Sequence, residues 1–258
     1  MPFTVSHVAA VLPLRRLNLV WSALVVGSMA PDLPYIVGTT DYRSFGHQFP
    51  GVIEFTLPAS IFALWVFHTA IKRPAATLLP SGVQQRLRGQ LGDFKFGGPA
   101  RFVAILFSLA LGIATHLVWD AFTHPFSWPW RRWVWLQRWV KVPVVGPRPM
   151  YMVLQYASTV IGLVALGIWV VLWYRNTAPV PAAGAATAKS GPRIALTMVA
   201  VATVAALIRA WLVIGMPKSL DMADSFLLVF GVTGIALVFW EVLIYCVMIS
   251  SHQTWTIS

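Results

Sequence analysis

Long, nearly uninterrupted apolar runs alternate with short polar stretches along the chain. Five runs reach ~20 residues, the length a helix needs to cross ~30 Å of hydrocarbon: residues 52–71, 101–121, 150–174, 193–216 and 223–249. A sixth run, 17–30, is shorter, and Pro31 and Pro34 break whatever helix it forms. It either crosses with help from residues 33–37 or dips in and returns as a re-entrant segment. The pattern predicts an all-α, polytopic transmembrane helical bundle with five or six membrane helices.

The runs also divide the chain. Residues 176–192 (NTAPVPAAGAATAKSGP) are rich in Ala, Pro and Gly without an apolar period, the composition of a flexible linker. They separate a membrane domain, residues 1–175, from a C-terminal transmembrane helical hairpin and tail, residues 193–258. No internal repeat is visible.

Composition strengthens the membrane reading. Of the 258 residues, 58% are hydrophobic and 10% charged, where a soluble domain carries roughly a quarter charged. So much apolar surface cannot be buried in one globule. The net charge of +11 raises the question of nucleic acid, but the basic residues lie between apolar runs, interleaved with tryptophan, as in loops that touch lipid headgroups. Membrane lipids are the expected partners, and nucleic acid is not. The lone cysteine, Cys246, excludes an intrachain disulfide. Arg15 and Arg16 imitate the start of a secretory signal, but Pro31 after Gly-Ser-Met-Ala makes a poor cleavage site, so the segment is read as retained. Lys and Arg are evenly split between the two sides for five crossings and mildly favour a cytoplasmic N-terminus for six. Orientation and oligomeric state stay open.

Residues 128–140 (WPWRRWVWLQRWV) hold five tryptophans and three arginines. Indoles settle at the headgroup level and guanidiniums reach phosphates. The segment reads as interfacial, or more sharply as a surface that gathers phospholipid beside a site.

The candidate chemistry lies in the N-terminal part. His116 and Asp120 are four residues apart at the end of the second long run, so an imidazole and a carboxylate share one helical face. That pair offers one nitrogen and one oxygen ligand to a divalent metal, although Asp120 alone also fits an interfacial cap. A carboxylate at the bilayer edge costs up to ~3 kcal/mol unless paired or hydrated. His124 falls a further turn along, before Pro125. Asp32, between Pro31 and Pro34, is either a turn residue or a ligand on a rigid backbone. His47 stands in the next loop, and Glu54 begins the following span near it as a ligand or general base. His7 precedes the apolar stretch 8–12, which it either caps or leaves for a ligand role. His68 beside Lys72 and Arg73 suits a headgroup contact, and His252 lies in the tail. With six crossings His7 falls on the opposite face from Asp32, His47, His116, Asp120 and His124. Only re-entry of residues 17–30 brings it to theirs, and a site of four or more ligands favours re-entry. Arg209 and Glu241 lie ~10 Å and ~27 Å from one face at the helical rise. They are too far apart to pair, so Arg209 is expected to snorkel and Glu241 to sit near the opposite headgroups or hydrogen-bond within the bundle.

The opening Met-Pro-Phe-Thr-Val-Ser-His7, then Gly-Ser-Met-Ala-Pro-Asp32, His116-Leu-Val-Trp-Asp-Ala-Phe-Thr-His124 and Pro149-Met-Tyr-Met-Val-Leu-Gln-Tyr-Ala-Ser together resemble a bacterial membrane family. It is the one labelled domain of unknown function 4184, and the likeness covers roughly residues 1–175. The family has no established activity to carry over, and the resemblance implies a multi-pass protein of the bacterial inner membrane. More distantly, the order Asp32, His47, His116, Asp120 is similar to membrane-bound metal-dependent hydrolases and to one metal site of the zinc-dependent phospholipase C family. That likeness implies Asp32, His47, His116 and Asp120 as metal ligands, with His7 and His124 as second-metal or outer groups.

The function expected is a membrane-embedded metal-dependent hydrolase acting on a lipid or lipid-linked phosphoester. Zinc is the first choice of metal, with manganese or iron as alternatives, and His124 or Glu54 would move the proton. The alternative is a non-enzymatic integral membrane protein that binds metal for stability or transport.

Overall fold

The computed structural model describes residues 3–37, 43–143, 145–180 and 190–252. Among them, five helical segments are long and apolar enough to cross a membrane: Phe49–Ala76, Pro99–Arg132, Met150–Asn176, Gly191–Ile214 and Leu220–Ser250. The protein is an all-α polytopic helical protein. Its principal helices are α1 (Trp21–Met29), α2 (Phe49–Ala76), α3 (Pro99–Thr123), α4 (Met150–Asn176), α5 (Gly191–Ile214) and α6 (Leu220–His252). Two wide π-type turns, Val52–Thr56 and Phe67–Ile71, interrupt α2. The chain divides into two compact units. One is built from Met1–Pro34, Thr39–Leu64 and Phe96–Val171, the other from Tyr35–Gly38, Trp65–Lys95 and Leu172–Ser258.

In the first unit the sixth apolar run does not make a spanning helix. It folds into α1, nine residues long, or about 14 Å at the helical rise. The chain before it forms a 3-10 turn, Thr4–His7, and the chain after it another, Ala30–Asp32. The Thr4 hydroxyl donates to Asp32 Oδ2 at 2.8 Å, so the two ends of the segment meet. The helical path continues through Leu33–Val37, and among the described residues this run is not one of the five candidate spans.

Backbone contact holds α1 against α3. A Cβ on Gly27 would overlap the Leu109 carbonyl, and one on Gly112 would overlap the Leu24 carbonyl and crowd the Ser28 nitrogen. Lipid tails are as apolar as leucine, so helices in a bilayer associate through close packing of this kind. The Val20 amide at the start of α1 donates to Ser108 Oγ on α3 at 3.0 Å, which satisfies a group that hydrocarbon would leave orphaned. Val8, Val11 and Leu24 form a buried core flanked by Leu111 and Leu166. On α4, Gly162 packs against Ser6, and Thr159 Oγ1 accepts the Phe3 amide at 3.2 Å. The N-terminal turn is thereby seated.

The tryptophan and arginine segment is not one helix. Trp128–Arg132 is a short helix capped by Ser127 Oγ, Val134–Gln137 is a 3-10 turn, and Trp139 opens an antiparallel hairpin of β1 (Trp139–Val142) and β2 (Gly146–Pro149). The Met150 amide, the first of α4, donates to the Arg138 carbonyl at 2.9 Å. Trp128, Trp133, Trp135 and Trp139 are exposed, with Arg131, Arg132 and Arg138 among them.

In the second unit α5 and α6 pack together along small residues, with Ala202, Ala206 and Ala210 buried one turn apart. Arg209 Nη1 donates to Thr233 Oγ1 on α6 at 2.8 Å. The most distinctive part of the expected linker, residues 181–189, lies outside the described residues.

If the α1–α3 contact is the seam of the first unit, Gly112→Ala should lower the melting temperature in detergent. Overpacking of this kind costs about 1–3 kcal/mol. Gly89→Ala, where a Cβ meets nothing within 4 Å, should leave the melting temperature unchanged.

Candidate metal centre

The site grows out of the buried stripe of α3. Ile105, Leu109, Gly112 and Ile113 line the face toward α1, and His116, Asp120 and Thr123 continue the same stripe at helical spacing. The last two turns of a packing seam thus carry ligand-type residues in place of aliphatic ones. His116 Nδ1 lies 2.8 Å from the Ser28 carbonyl. A carbonyl only accepts, so Nδ1 carries the hydrogen, and Nε2 is the nitrogen that faces the cluster. Metal-bound histidines are typically held in this way.

Three other elements bring their side chains to that cluster. Asp32, at the end of its 3-10 turn, is fully buried, and Thr4 engages its Oδ2. Its Oδ1 lies 3.9 Å from His116 Nε2 and 3.6 Å from His47 Nε2. His47 follows the short helix Arg43–Gly46, and its Nε2 is 3.5 Å from Asp120 Oδ2. His116 Nε2 is also 3.5 Å from Asp120 Oδ2. On the other side of the carboxylate, Asp120 Oδ1 stands 3.5 Å from His7 Nε2 and 3.5 Å from His124 Nδ1. The His7 and His116 rings stack with centroids 3.9 Å apart, and Trp119 leans on His7 at 5.5 Å.

These separations fit ligands better than hydrogen bonds. Strong hydrogen bonds to carboxylates are ~2.7–2.9 Å long. Ligand bonds of 2.0–2.2 Å put tetrahedral neighbours roughly 3.3–3.6 Å apart. Among the described residues, neither nitrogen of the fully buried His7 nor His116 Nε2 has a hydrogen-bond partner, an arrangement that needs an explanation. Burial, aided by the neighbouring His116, pushes His7 down to about 3, so its imidazole is neutral, the ligating form. Two buried carboxylates among imidazoles concentrate negative charge in a poorly solvated place, which a divalent cation offsets. Two sets of three residues, His7 with His116 and Asp120, and Asp32 with His47 and His116, have ligand atoms within 4.8 Å of one another. Nitrogen and carboxylate donors of this kind suit zinc, and also manganese or iron. The buried groups can hold a metal ion.

The structure brings together Asp32, His47, His116, Asp120 and His7, and sets His124 at their edge. There His124 Nδ1 is also 3.1 Å from the Asp120 carbonyl. Glu54 is not among them: it is exposed in the wide turn Val52–Thr56 and belongs to neither ligand set. His68 stacks on Phe94 in the second unit at 3.8 Å. Thr4 and Ser28 were missed by the sequence reading. Thr4 stands three residues before His7 and Ser28 four before Asp32, but their roles depend on how α1 returns, which no local spacing encodes.

Fold and site together define a polytopic helical membrane protein with a buried histidine and aspartate cluster able to hold a metal. The chain belongs to the family described as domain of unknown function (DUF4184), which it matches over residues 1–247. No curated protein and no solved structure matches it.

Elemental analysis of the purified protein should find a bound divalent metal, lost in His116→Ala. Thr4→Val keeps the shape but removes the hydroxyl that holds Asp32. It should weaken metal affinity about 10–100-fold, as loss of an outer-shell partner does. His68→Ala should leave metal content unchanged.

Proposed function

We propose that the protein is a metal-dependent hydrolase of a lipid or lipid-linked phosphoester, working at one face of a bacterial inner membrane. The observation that carries this reading is the convergence of Asp32, His47, His116 and Asp120 at 3.5–3.9 Å, in the same unit as an exposed tryptophan and arginine surface. These four would hold the ion, with His7 beside them. When bound, a divalent ion supplies a Lewis acid that polarises a phosphoryl oxygen and lowers the pKa of water.

The remaining work falls to the chain itself. Asp32 and Asp120 offset the charge of the cation, and the Ser28 carbonyl keeps His116 in the ligating tautomer. His47 closes the cluster from a loop, its side chain 15% exposed, and so forms an edge that substrate can approach. His124 is 23% exposed and stands beside Asp120 Oδ1, where its imidazole can take or return a proton. Glu54, exposed outside the cluster, is left without that role. Arg131 and Arg132 offer donors suited to a phosphate, and the neighbouring tryptophans suit the headgroup level.

Full burial of His7, Asp32 and His116 favours a second reading, in which a closed site binds metal for stability. The two diverge under mutation, because a catalytic metal keeps an open position while a structural site is closed and supports the fold. On the hydrolase reading, His116→Ala and Asp120→Ala abolish turnover of phospholipid phosphoesters with added zinc or manganese, while melting in detergent shifts little. A large loss of stability in both variants, with no turnover by the wild type, would establish the structural reading instead.

A further inference from the structure

Beside the cluster, on the first unit, a groove of about 550 Å³ runs between α3 and α4, within the volume range of small-molecule sites. Val118 and Phe122 line it from α3, Leu154, Ala157 and Ile161 from α4. It extends from Thr115 to Thr123, or ~12 Å along α3 at the helical rise. Both helices are membrane-spanning candidates.

The polar groups of the lining identify the ligand class, because each is already engaged. Thr115 Oγ1 donates to the Gly112 carbonyl at 2.7 Å, and Thr123 Oγ1 to the Trp119 carbonyl at 3.2 Å. Ser158 Oγ donates to the Gln155 carbonyl at 3.1 Å and accepts from Trp119 Nε1 at 3.1 Å. A ligand with its own donors and acceptors would lose water there and gain little, whereas a hydrocarbon chain loses nothing. The groove is also continuous with the cluster. Trp119 lines it while leaning on His7, and Thr123 closes one end with its hydroxyl 3.3 Å from His124 Nδ1.

We infer that this groove seats one acyl chain of a membrane lipid, with its polar end at the His124 edge of the cluster. The inference names the substrate class of the hydrolase reading and rests on that reading only for the fate of the headgroup.

Phosphatidylcholine carrying a diazirine midway along one acyl chain, in nanodiscs of the same lipid, tests it by photocrosslinking and peptide mapping. Val118 and Ile161, 61% and 66% exposed, have matched controls outside the groove in Val103 and Ile168, 62% and 56% exposed on the same helices. Adducts at Val118 and Ile161 should exceed those at the controls several-fold. Ala157→Trp should fill the groove and erase the excess while metal content stays at the wild-type level. Equal yields at all four positions in the wild type mean annular lipid only and overturn the inference, whether or not the variant folds. A crosslink between two copies through the groove overturns it too. Excess adducts without any hydrolysis leave the groove standing and remove the hydrolase reading. Hydrolysis without excess adducts does the reverse.

Discussion

The backbone contact between α1 and α3 controls the rest of the first unit. Gly27 and Gly112 let the two helices touch where any side chain would overlap a carbonyl, and the touch brings the Ser28 carbonyl to His116 Nδ1 at 2.8 Å. Without it, the imidazole has no fixed tautomer and Asp32, four residues after Ser28, has no reason to approach His116. A bilayer supplies little hydrophobic force between helices, so small residues and satisfied polar groups must hold this seam. The Val20 amide on Ser108 Oγ is a second fastening of the same kind. A single seam therefore serves as both packing surface and scaffold for the cluster.

Charge adds a second constraint. Asp32 and Asp120 are buried in an otherwise apolar bundle with imidazoles around them. Buried carboxylates persist where they are hydrogen-bonded, paired or bound to a cation. The Thr4 hydroxyl answers for one oxygen of Asp32. For Asp120, each oxygen looks toward two histidines, His7 and His124 on one side, His47 and His116 on the other. Burial holds the His7 imidazole neutral. Among the described residues its two nitrogens and His116 Nε2 have no hydrogen-bond partner, and these groups could hold a metal ion.

Much of this was legible in the sequence, for reasons of length and period. A span must be ~20 apolar residues, so five helices could be read directly, and run 17–30 stood out as too short to be one of them. His116 and Asp120 could be paired because a helix fixes which residues share a face. What was illegible depends on chain returns. The Thr4–Asp32 bond joins residues 28 apart, and nothing local announces it. The β1–β2 hairpin escaped because its strands carry Pro147 and Pro149 and follow a tryptophan-rich run, whose composition speaks of the interface and not of pairing. Glu54 lies near His47 in sequence but is turned outward, since the wide turn Val52–Thr56 changes the helical phase on which such a judgement depends. Arg209 found Thr233 because α5 and α6 pack along alanines closely enough for a side chain to cross.

The end of α3 ties the cluster to the exposed tryptophan and arginine segment. After His124 and Pro125, Phe126 adopts a left-handed backbone with φ 64°, a conformation that disfavours a bulky residue by roughly 1–2 kcal/mol. Ser127 offsets part of that cost, its hydroxyl donating to the Ala121 carbonyl at 2.5 Å and accepting the Trp130 amide at 3.3 Å. The reversal stops α3 within a turn of Asp120 and starts the exposed tryptophan and arginine segment at Trp128. A looser exit from the helix would let that segment drift away from His124. Instead, the exposed tryptophan and arginine segment and the histidine and aspartate cluster are separated by one strained turn, and the apolar groove ends at the same place, at Thr123. Cluster, segment and groove thus meet around the last turn of a single helix.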